Sequence, residues 1–447
     1  TGKPSAGAAA RAGFVRHSRG QVMAERPRRV VITGLGAVTP VGIGVKASFD
    51  ALCRGKNGIR DIPRWKAAGF PVDVAGTVED ATLFTAEAET YAAYHSRKAV
   101  FATAAFREAV SQAGHDAVAD GRGGILLGVE TGRIDIRILF DMFATSGTPK
   151  GIDPTAFGKK SFEYLTPGEV LSKQPGFLPA LLMRLGGIEG EIRSVSNACS
   201  SSNLAIGEAF RLVSSGQLDW AVTGGADDMI DEYMAIGFHL LGAVATGLPA
   251  DSASRPFDVA RRGFVLGEGA GILFIESEDR ARARGARPLA VIAGYGAGAS
   301  AGRITETSWE GIHRTMQAAL NEGGVSPDRV NYINAHGTST PMNDPAEAEA
   351  IRNLFGPVAE RIPVSSTKSM IGHLIAAAGA VEAVVCAQSI VEGRIHPTRN
   401  LGRIDPACRL DHVIGRPRPG PVHAALSNSL GFAGINSTLL FTHPDDR

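Results

Sequence analysis

Short apolar runs alternate along the chain with longer amphipathic segments. Residues 30–36 and 124–128 are aliphatic and end at glycines, which predicts buried strands that run into loops. Residues 97–113 are alanine-rich with apolar positions at helical spacing, and a glycine follows as a stop signal. Residues 203–214 and 220–225 again read as helix, then strand and turn. The alternation predicts an α/β fold with parallel strands that helices cover on both faces.

The second half of the chain repeats the first. Residues 288–296 resemble residues 30–36, and both runs end in G-x-G. This G-x-G is a weak dinucleotide signal, because Thr39 stands where the third glycine belongs. Residues 199–209 align with residues 373–383. Their first residues, a cysteine and a histidine, are therefore predicted to begin two equivalent helices.

The repeat predicts three segments of chain. Residues 1–27 are expected to form a disordered tail or an extension. Residues 28–280 and 281–447 are expected to form two related halves, whose pseudo-twofold axis brings the two helix starts together. The first half contains extra sequence at residues 130–184, which is predicted to be rich in loops. We expect this stretch to contact the tail of the substrate and a second subunit.

Charge and cysteine content exclude several classes of function. The chain has 46 Lys and Arg residues against 45 Asp and Glu, so neither nucleic acid nor an acidic membrane surface is an expected partner. No run reaches the roughly 20 apolar residues that cross a bilayer. The four cysteines are scattered without a C-x-x-C pair, which predicts a reducing, cytoplasmic location. They are Cys53, Cys199, Cys386 and Cys408.

Three residues in small-residue signatures form the candidate chemistry. Cys199 lies in Ser-Asn-Ala-Cys-Ser-Ser-Ser, His336 in Asn-Ala-His-Gly-Thr-Ser-Thr and His373 in Lys-Ser-Met-Ile-Gly-His. A helix N-terminus lowers the pKa of a thiol, so Cys199 is predicted to be a thiolate nucleophile. Two neutral imidazoles can donate hydrogen bonds to one thioester carbonyl and stabilise an enolate. The alternative for each is a packed core residue. No metal is expected, since no third ligand follows at a suitable spacing.

Further residues are predicted to support this set. Lys368 lies in a run of small and apolar residues and therefore needs a carboxylate partner, for which Glu347 is the candidate. The turn at residues 431–434 follows a predicted strand at residues 422–426. Its N–H groups are expected to complete an oxyanion hole with that of Cys199. Phe432, within the turn, is otherwise a core aromatic.

Taken together, these motifs resemble the β-ketoacyl-acyl-carrier-protein synthases, condensing enzymes of the thiolase superfamily, and most of all the type II elongating synthases. The resemblance runs from about Arg28 to His443. It includes Arg-Pro-Phe-Asp at residues 255–258, Gly-Phe-Val-Leu-Gly-Glu-Gly at 263–269 and Asn-Ser-Leu-Gly-Phe at 428–432. The resemblance implies a thiolase fold, with two pseudo-repeated halves in a five-layered αβαβα sandwich, and a homodimer.

The resemblance also implies a reaction. Cys199 would take an acyl group from acyl carrier protein, and His336 and His373 would assist decarboxylation of malonyl carrier protein. The resulting carbanion would give a 3-oxoacyl chain two carbons longer, as in fatty-acid elongation. No organic cofactor is expected besides the phosphopantetheine of the carrier protein. Lys368 is expected to support the histidines and Phe432 to gate the entry of malonyl substrate.

The remaining roles also follow from the resemblance alone. Thr338 and Thr340 would hold the phosphopantetheine arm, and Gly431 and Gly434 would contact substrate beside the gate. A second set would serve as supporting acids: Asp344, Glu347 and Glu382. The last of these matches a structural acid that sometimes lies near a monovalent cation.

Several departures from the family pattern bear on substrate. Asn197 and Ile435 stand where threonine is usual, and Ala433 replaces a gate glycine, which is expected to restrict its motion. Residues 159–176 are more charged than the apolar pocket wall that is expected to bind saturated fatty chains. A specialised polyketide, polyene or unusual lipid pathway, with or without a chain-length-factor partner, is therefore the alternative. A thiolase would use a second cysteine as its base and an initiating synthase would carry Cys-His-Asn, so neither pattern fits.

Overall fold

One large mixed sheet forms the centre of the structure. The computed structural model describes residues 27–119, 121–300 and 307–446, so the tail predicted at residues 1–27 lies outside the described residues except for Pro27. A short strand, Gly42–Ile43, pairs with the end of the first strand. The other strands of the sheet are β1 Val30–Thr39, β2 Gly124–Gly128, β3 Glu191–Val195, β4 Trp220–Asp227, β5 Gly269–Ser277, β6 Ala290–Ala299, β7 Tyr332–Asn334, β8 Pro363–Ser365, β9 Asp411–His412, β10 Ala424–Leu430 and β11 Ile435–Thr442.

The helices connect these strands and cover the sheet. They are α1 Val45–Cys53, α2 Pro63–Ala67, α3 Ala81–Ala86, α4 Ala88–Tyr94, α5 Arg97–Ala113, α6 Ile136–Ser146, α7 Pro154–Tyr164, α8 Pro167–Ser172, α9 Phe177–Gly186, α10 Ser201–Ser214, α11 Glu232–Leu240, α12 Glu278–Ala283, α13 Trp309–Gly323, α14 Asn343–Phe355, α15 Lys368–Ile371 and α16 Ala378–Glu392. Three separate two-stranded ribbons complete the strands of the described part: Ile59–Asp61 with Val74–Gly76, Gly147–Thr148 with Gly151–Ile152, and Arg394–Ile395 with Arg418–Pro419.

The strand order repeats about the middle of the sheet. One side runs β1-β5-β4-β2-β3 and the other runs β6-β11-β10-β7-β8, with β9 added at its edge. The two sides meet where β1 pairs with β6. Each of these meeting strands shows the same irregularity, between Ile32 and Gly34 in β1 and between Ile292 and Gly294 in β6. The internal repeat seen in the sequence is therefore a repeat of topology.

Strand direction differs from the prediction in part. The outer pairs are parallel, as in β2 with β3 and β7 with β8. The inner pairs β1–β5, β5–β4, β6–β11 and β10–β11 are antiparallel. The prediction of parallel strands was wrong for the centre, because the last strand of each half, β5 or β11, runs antiparallel to both of its neighbours in that half. The inner strands β2, which has parallel neighbours, and β5, which has antiparallel ones, are both buried along their whole length and so carry similar aliphatic sequences.

The three largest hydrophobic clusters of the described residues follow a five-layered arrangement. The middle core joins α10 and α16 to both halves of the sheet and includes Phe210, Ile390 and Phe441. An outer core packs α5 and α9 against the first half. The other outer core packs α13 and α14 against the second half. This arrangement is the αβαβα sandwich that the sequence predicts.

The G-x-G of each half has a packing role. A Cβ at Gly34 or Gly36 would overlap the carbonyl oxygens of Ala109 and Ala105 in α5. In the second half a Cβ at Gly296 would overlap the carbonyl of Thr315 in α13 in the same way. These glycines let an outer helix lie directly on the strand, which explains the motif without a nucleotide.

The extra stretch of the first half is helical rather than loop-rich, which corrects the prediction for residues 130–184. It contains α6 to α9. Asp153 and Thr166 cap α7 and α8, each followed by a proline at the first helical position. These helices are short, so their apolar spacing is hard to separate from that of loops.

One helix of the described chain is long and apolar enough to cross a membrane. The segment Ile375–Glu392 has a mean hydropathy of 1.5, but 83 % of it is buried inside the protein. It contains α16, which lies in the middle layer. Its composition follows from contact with both halves of the sheet, and the cytoplasmic location stays a prediction.

Candidate active site

Cys199 stands in a tight turn at the start of α10. The turn is a 3-10 helix, Ala198–Ser200, and the side chain of Cys199 is 5 % exposed. Ala198 has a left-handed backbone with a φ of 50°, which is uncommon for a residue with a Cβ. The Ser201 hydroxyl accepts from the N–H of Asn197 at 2.8 Å and donates to the carbonyl of Ala198 at 2.7 Å. Local hydrogen bonds thus close the turn around the nucleophile.

The thiol of Cys199 keeps its proton in the resting site. Burial raises its pKa to about 12, the charge of Lys368 lowers it and the charge of Glu130 raises it. The predicted low pKa was wrong, because loss of solvation outweighs the partial charge of the helix start. Loss of the thiol proton therefore has to accompany the reaction with substrate.

His336 follows β7, and hydrogen bonds from backbone N–H groups of its loop hold it in place. Its N–H donates to Glu347 Oε1 at 2.8 Å, and the N–H of Gly337 donates to Glu347 Oε2 at 2.9 Å. Burial, followed by the charge of Lys368, lowers the pKa of His336 well below its usual value. Its Nδ1 lies 3.3 Å from Lys368 Nζ. Because an ammonium group only donates, Nδ1 accepts and Nε2 carries the proton.

His373 has the same tautomer for a different reason. The N–H of Ile375 donates to its Nδ1 at 3.2 Å, and burial lowers its pKa well below the usual range. Its Nε2 therefore carries the ring proton, and this atom has no hydrogen-bond partner among the described residues. The rings of His336 and His373 lie 5.2 Å apart at 83°. The site thus offers two neutral N–H donors.

The thiol and the two imidazoles come together in one cluster. Cys199 Sγ and one nitrogen of each of His336 and His373 lie within 4.8 Å of one another. The sequence argument that no third ligand is available for a metal was wrong, since the nucleophile itself completes the set. The tautomers still disfavour a metal, because both Nε2 atoms carry protons while both Nδ1 atoms face donors.

Lys368 pairs with a residue other than the predicted one. Its Nζ donates to Glu382 Oε1 as well as facing His336 Nδ1, and both members of the pair are 2 % exposed. The predicted partner was Glu347, and this prediction was wrong. The reason lies in how the helices are arranged. Lys368 begins α15, and Glu382 lies in the second turn of α16 beside it. Burial raises the pKa of Glu382 to about 7, opposed by Lys368.

Glu347 and Asp344 instead brace the loop around His336. Besides the two N–H groups of that loop, Glu347 accepts from Asn428 Nδ2 at 3.1 Å. Asp344 Oδ2 accepts from the N–H of Phe257 at 2.8 Å, and its Oδ1 accepts from the N–H of Ser339 at 3.2 Å. Both acids are fully buried in α14. In the structure both carboxylates hold backbone N–H groups.

A cavity of about 340 Å³ leads to the cluster. Thr338 and Thr340 line it, with their hydroxyl oxygens 3.1 Å apart. Phe432 and Gly431 also line it, and the Phe432 ring stacks on that of Phe238 at 6.2 Å. The residues predicted to hold the substrate arm therefore share one opening. Its full lining is Cys199, Leu241, Gly242, Ala243, Phe264, Thr307, His336, Thr338, Thr340, Pro341, Met342, Asn343, His373, Leu430, Gly431 and Phe432.

The gate turn differs from the prediction in two respects. The N–H of Gly431 donates to the carbonyl of Ile435 at 2.6 Å, so it does not serve the expected oxyanion hole. Gly434 is buried away from the cavity lining, where its carbonyl accepts from the N–H of Ser300 at 2.9 Å. Ala433 adopts a φ of 62°. An alanine thus occupies the left-handed position that glycine favours.

Two acids near the site were missed by the sequence analysis. Glu130 accepts hydrogen bonds from the loop of Cys199, and Asp227 Oδ2 accepts from the N–H of Ala376, next to the loop of His373, at 3.0 Å. Burial raises the pKa of Asp227 to about 7. Each acid lies at the carboxyl end of a strand, β2 or β4. That position is where α/β sites form, and it was the available signal.

The duplicated αβαβα architecture is the thiolase fold, and a cysteine that faces two histidines at its centre suits an acyltransferase that works on thioesters. The chain matches the N-terminal domain of β-ketoacyl synthase over residues 27–281 and the C-terminal domain over residues 289–402. The chain therefore belongs to the β-ketoacyl synthase family.

Relatives and solved structures agree with this assignment. The chain is 37 % identical over 419 residues to 3-oxoacyl-[acyl-carrier-protein] synthase 2 of Staphylococcus aureus, covering 93 % of this chain and 98 % of the relative. It is similar to the ketosynthase of a type II polyketide acyl-carrier-protein complex, AntDE:AntF (TM-score 0.82, 30 % identity, 94 % and 100 % coverage). It is also similar to the ishigamide ketosynthase/chain length factor (TM-score 0.79, 32 % identity, 93 % and 99 % coverage).

Proposed function

We propose that the protein is a 3-oxoacyl-acyl carrier protein synthase that elongates acyl chains by decarboxylative Claisen condensation in fatty-acid synthesis. The observation that carries this proposal is the cluster at the base of the cavity. There a buried thiol meets two neutral imidazoles that carry their protons on Nε2, and Nε2 of His373 has no hydrogen-bond partner among the described residues. The name of the Staphylococcus aureus relative describes the same reaction.

In the first half-reaction Cys199 accepts the acyl group. Its Sγ forms a bond to the thioester carbonyl carbon, the bond from that carbon to the pantetheine sulfur breaks, and the thiol proton passes to the leaving sulfur. The acyl-enzyme then carries no charge on sulfur. The high pKa of the resting thiol makes this proton transfer part of the step rather than a preceding ionisation.

In the second half-reaction malonyl thioester loses carbon dioxide. The bond to the carboxylate breaks, and its electrons form an enolate whose oxygen receives hydrogen bonds from Nε2 of His336 and His373. The enolate carbon attacks the acyl carbonyl on Cys199, and the bond to Sγ breaks. The released thiolate regains a proton from water, as its raised pKa favours.

The surrounding residues serve these two steps. Lys368 donates to Nδ1 of His336 and so fixes the tautomer of that ring, and the carboxylate of Glu382 balances the charge of Lys368. Glu347 and Asp344 fix the loop of His336. Thr338 and Thr340 lie where hydroxyls can bind the pantetheine arm, Gly431 borders the same opening, and Phe432 is the gate. Gly434 shapes the gate turn from behind rather than by contact with the substrate.

We propose that the protein needs no organic cofactor of its own, because the pantetheine arm of the carrier protein presents both substrates. A monovalent cation beside Glu382 fits one observation. Glu382 Oε2 is buried and meets no hydrogen-bond donor within the described residues. Such an ion would add positive charge on the side of the carboxylate remote from Lys368.

Acyl carrier protein and a second copy of the chain are the proposed partners. One solved structure similar to this chain is a carrier protein in complex with its ketosynthase. For the second copy, β3 forms an edge of the sheet with Ile192 45 % exposed. Phe140, Phe143 and Phe162 are exposed on α6 and α7, which pack against each other. An open sheet edge and large exposed aromatic groups each favour a subunit contact.

A specialised polyketide or polyene ketosynthase is the second candidate. The observation that favours it is the similarity to the ishigamide ketosynthase/chain length factor, which also makes a heterodimer the alternative assembly.

Intact-protein mass spectrometry tests the proposal. The chain is mixed with a panel of acyl carrier proteins that bear saturated, unsaturated and 3-oxo chains, and malonyl carrier protein is then added. Saturated acyl groups should load on Cys199 and discharge into a 3-oxo product two carbons longer. Loading only from unsaturated or 3-oxo chains would favour the second candidate. Absence of loading from every chain, with or without a chain-length-factor partner, would contradict both.

A further inference from the structure

We propose that Glu130 is a positioning residue for the nucleophile: its carboxylate holds the backbone before Cys199 in the left-handed turn that brings the sulfur to the two histidines. This inference rests on the proposed function for its meaning, since it assigns a role within acyl transfer. It concerns a residue that lies outside the cysteine and histidine motifs.

Two hydrogen bonds and one longer contact join Glu130 to the loop of Cys199. Oε1 accepts from the N–H of Ala198 at 3.0 Å, and the hydroxyl oxygen of Ser201, whose proton is donated to the carbonyl of Ala198, lies 3.4 Å from the same carboxylate atom. Oε2 accepts from the hydroxyl of Ser196 at 3.0 Å. The partners lie on both sides of the nucleophile, so the carboxylate spans its turn. Hydrogen bonds to a charged acceptor are stronger than neutral ones.

The bond to Ala198 has particular weight. Ala198 is left-handed with a φ of 50°, a conformation that costs free energy in a residue with a Cβ. An acceptor fixed on its N–H offsets that cost, because rotation of the backbone towards an extended conformation would remove the N–H from the carboxylate. The next residue in the chain is the nucleophile, whose sulfur is therefore aimed by the same contact.

Glu130 is itself anchored. Lys98, which is 4 % exposed, donates from Nζ to the backbone carbonyl of Glu130 at 2.7 Å. Lys98 belongs to α5, which is packed in an outer core, and its Nζ lies 4.0 Å from Asp228 Oδ1. Hydrogen bonds through Lys98 and Glu130 thus connect α5 to the turn of the nucleophile.

The loop of His373 is held by a different acid. Asp227 accepts the N–H of Ala376, and the Ser202 hydroxyl donates to the carbonyl of Ala376. Glu130 makes none of its described hydrogen bonds to the histidine loops. Loss of Glu130 should therefore impair acylation of Cys199, while malonyl decarboxylation by the histidines continues.

Two half-reactions and one chemical label test the proposal in the full chain. Glu130→Ala should slow acylation of Cys199 roughly tenfold or more, because a charge-assisted bond is lost. Malonyl decarboxylation should stay within about twofold of the wild type by the same argument. Glu130→Gln keeps an acceptor for Ala198 and should restore most of the acylation rate. Glu208→Gln, at a half-exposed position of α10 where the carboxylate faces Arg193, is the matched control and should change neither rate.

The label is iodoacetamide, which reports the thiolate fraction of Cys199. The charge of Glu130 raises the pKa of this thiol, as does Asp227, whereas Lys368 lowers it; His336 and His373 face it as neutral rings. Glu130→Gln should therefore alkylate several-fold faster than the wild type at pH 8, since rate below the pKa follows the thiolate fraction. A purely structural role would leave this rate without such an increase.

Glu130→Asp keeps the charge but shortens the reach, and serves if the alanine variant does not fold. It should acylate slowly without the faster alkylation. Equal slowing of both half-reactions, or normal acylation in both the alanine and aspartate variants, would overturn the proposal, as would unchanged alkylation in Glu130→Gln. If the wild type neither loads acyl groups nor decarboxylates malonyl, the proposed function fails, while alkylation still tests Glu130.

Discussion

The two halves of the protein share a topology and differ in what they carry at the start of the central helix. The first half places a cysteine before α10, and the second places a histidine before α16. Left-handed residues occur in both loops, Ala198 before the cysteine and Ile375 after the histidine. The first loop is fixed by Glu130 and the second by Asp227. A duplicated scaffold thus supplies two equivalent positions at its centre, and separate acids allow their chemistry to diverge.

The buried histidines show the same asymmetry. Among the described residues, every buried histidine lies in the second half: His336, His373, His396 and His412. The buried Lys368–Glu382 pair also belongs to that half. The first half supplies the nucleophile and the outer helices that anchor it. Proton chemistry is therefore concentrated on one side of the pseudo-twofold axis.

Removal of the nucleophile should have the largest effect. Cys199→Ala should lose acylation and condensation completely, because no other residue of the cluster can form the thioester. It should keep malonyl decarboxylation, which depends on the second half. Carbon dioxide release and 3-oxo product are measured separately by mass spectrometry. Cys53→Ala, another buried free thiol, is the control, and chain extension by Cys199→Ala would contradict the division of labour.

His373→Ala should produce the reverse pattern. Loss of one donor to the developing enolate should lower malonyl decarboxylation about a hundredfold. Acylation of Cys199 should persist, which is checked by the mass gain of the protein. His313→Ala, on the outer helix α13, provides a comparison that leaves the site intact. A folded His373→Ala protein that cannot acquire an acyl group would show that His373 activates the nucleophile.

Equivalent glycines test whether the two halves are mechanically alike. Gly36→Ala and Gly296→Ala each put a Cβ against a helix carbonyl. Each should lower the free energy of unfolding by about 1–3 kcal/mol, as overpacking does, and by similar amounts. Denaturant unfolding measures both. Gly158→Ala, where a Cβ meets nothing within 4 Å, is the control. A loss of stability in only one of the two variants would show that the halves share a topology but not the same packing.

The pH dependence of stability tests whether a buried histidine of the second half is neutral. Burial lowers the pKa of His396 to about 4, so its stabilising contribution is full above the unfolded value near 6.5 and is lost as the pH falls. The unfolded chain binds the extra proton in that window. The difference in unfolding free energy between wild type and His396→Gln should shrink by about 2 kcal/mol between pH 6.5 and 5. A constant difference, in parallel denaturant titrations, would contradict a buried neutral ring.

Local sequence signals predicted the regular elements well. Helix α5 has the predicted bounds because Ser96 caps its start, accepting the N–H of Ala99, and Gly114 ends it. Strand β2 also agrees, as a buried aliphatic run between glycines. The antiparallel return of the inner strands was not predictable in this way, because it depends on contacts between distant parts of the chain.

The residues of the site could be predicted from the sequence, but the hydrogen bonds and ion pairs between them could not. The motifs identified Cys199, His336 and His373, which the structure brings together. The partner of Lys368 depends on how α15 lies against α16, and sequence spacing does not report that geometry. The pKa of Cys199 likewise depends on burial, which outweighs the helix-start effect that the sequence suggests. Glu130 was missed because its neighbours in sequence carry no recognisable motif.

The burial of Cys199 has a consequence for the lifetime of the enzyme. Peroxide and related oxidants react with thiolates far faster than with thiols. A nucleophile that keeps its proton until a thioester arrives is therefore a poor target for oxidation to sulfenic or sulfonic acid. The same burial that forces deprotonation to wait for substrate also protects the idle protein against chemical ageing.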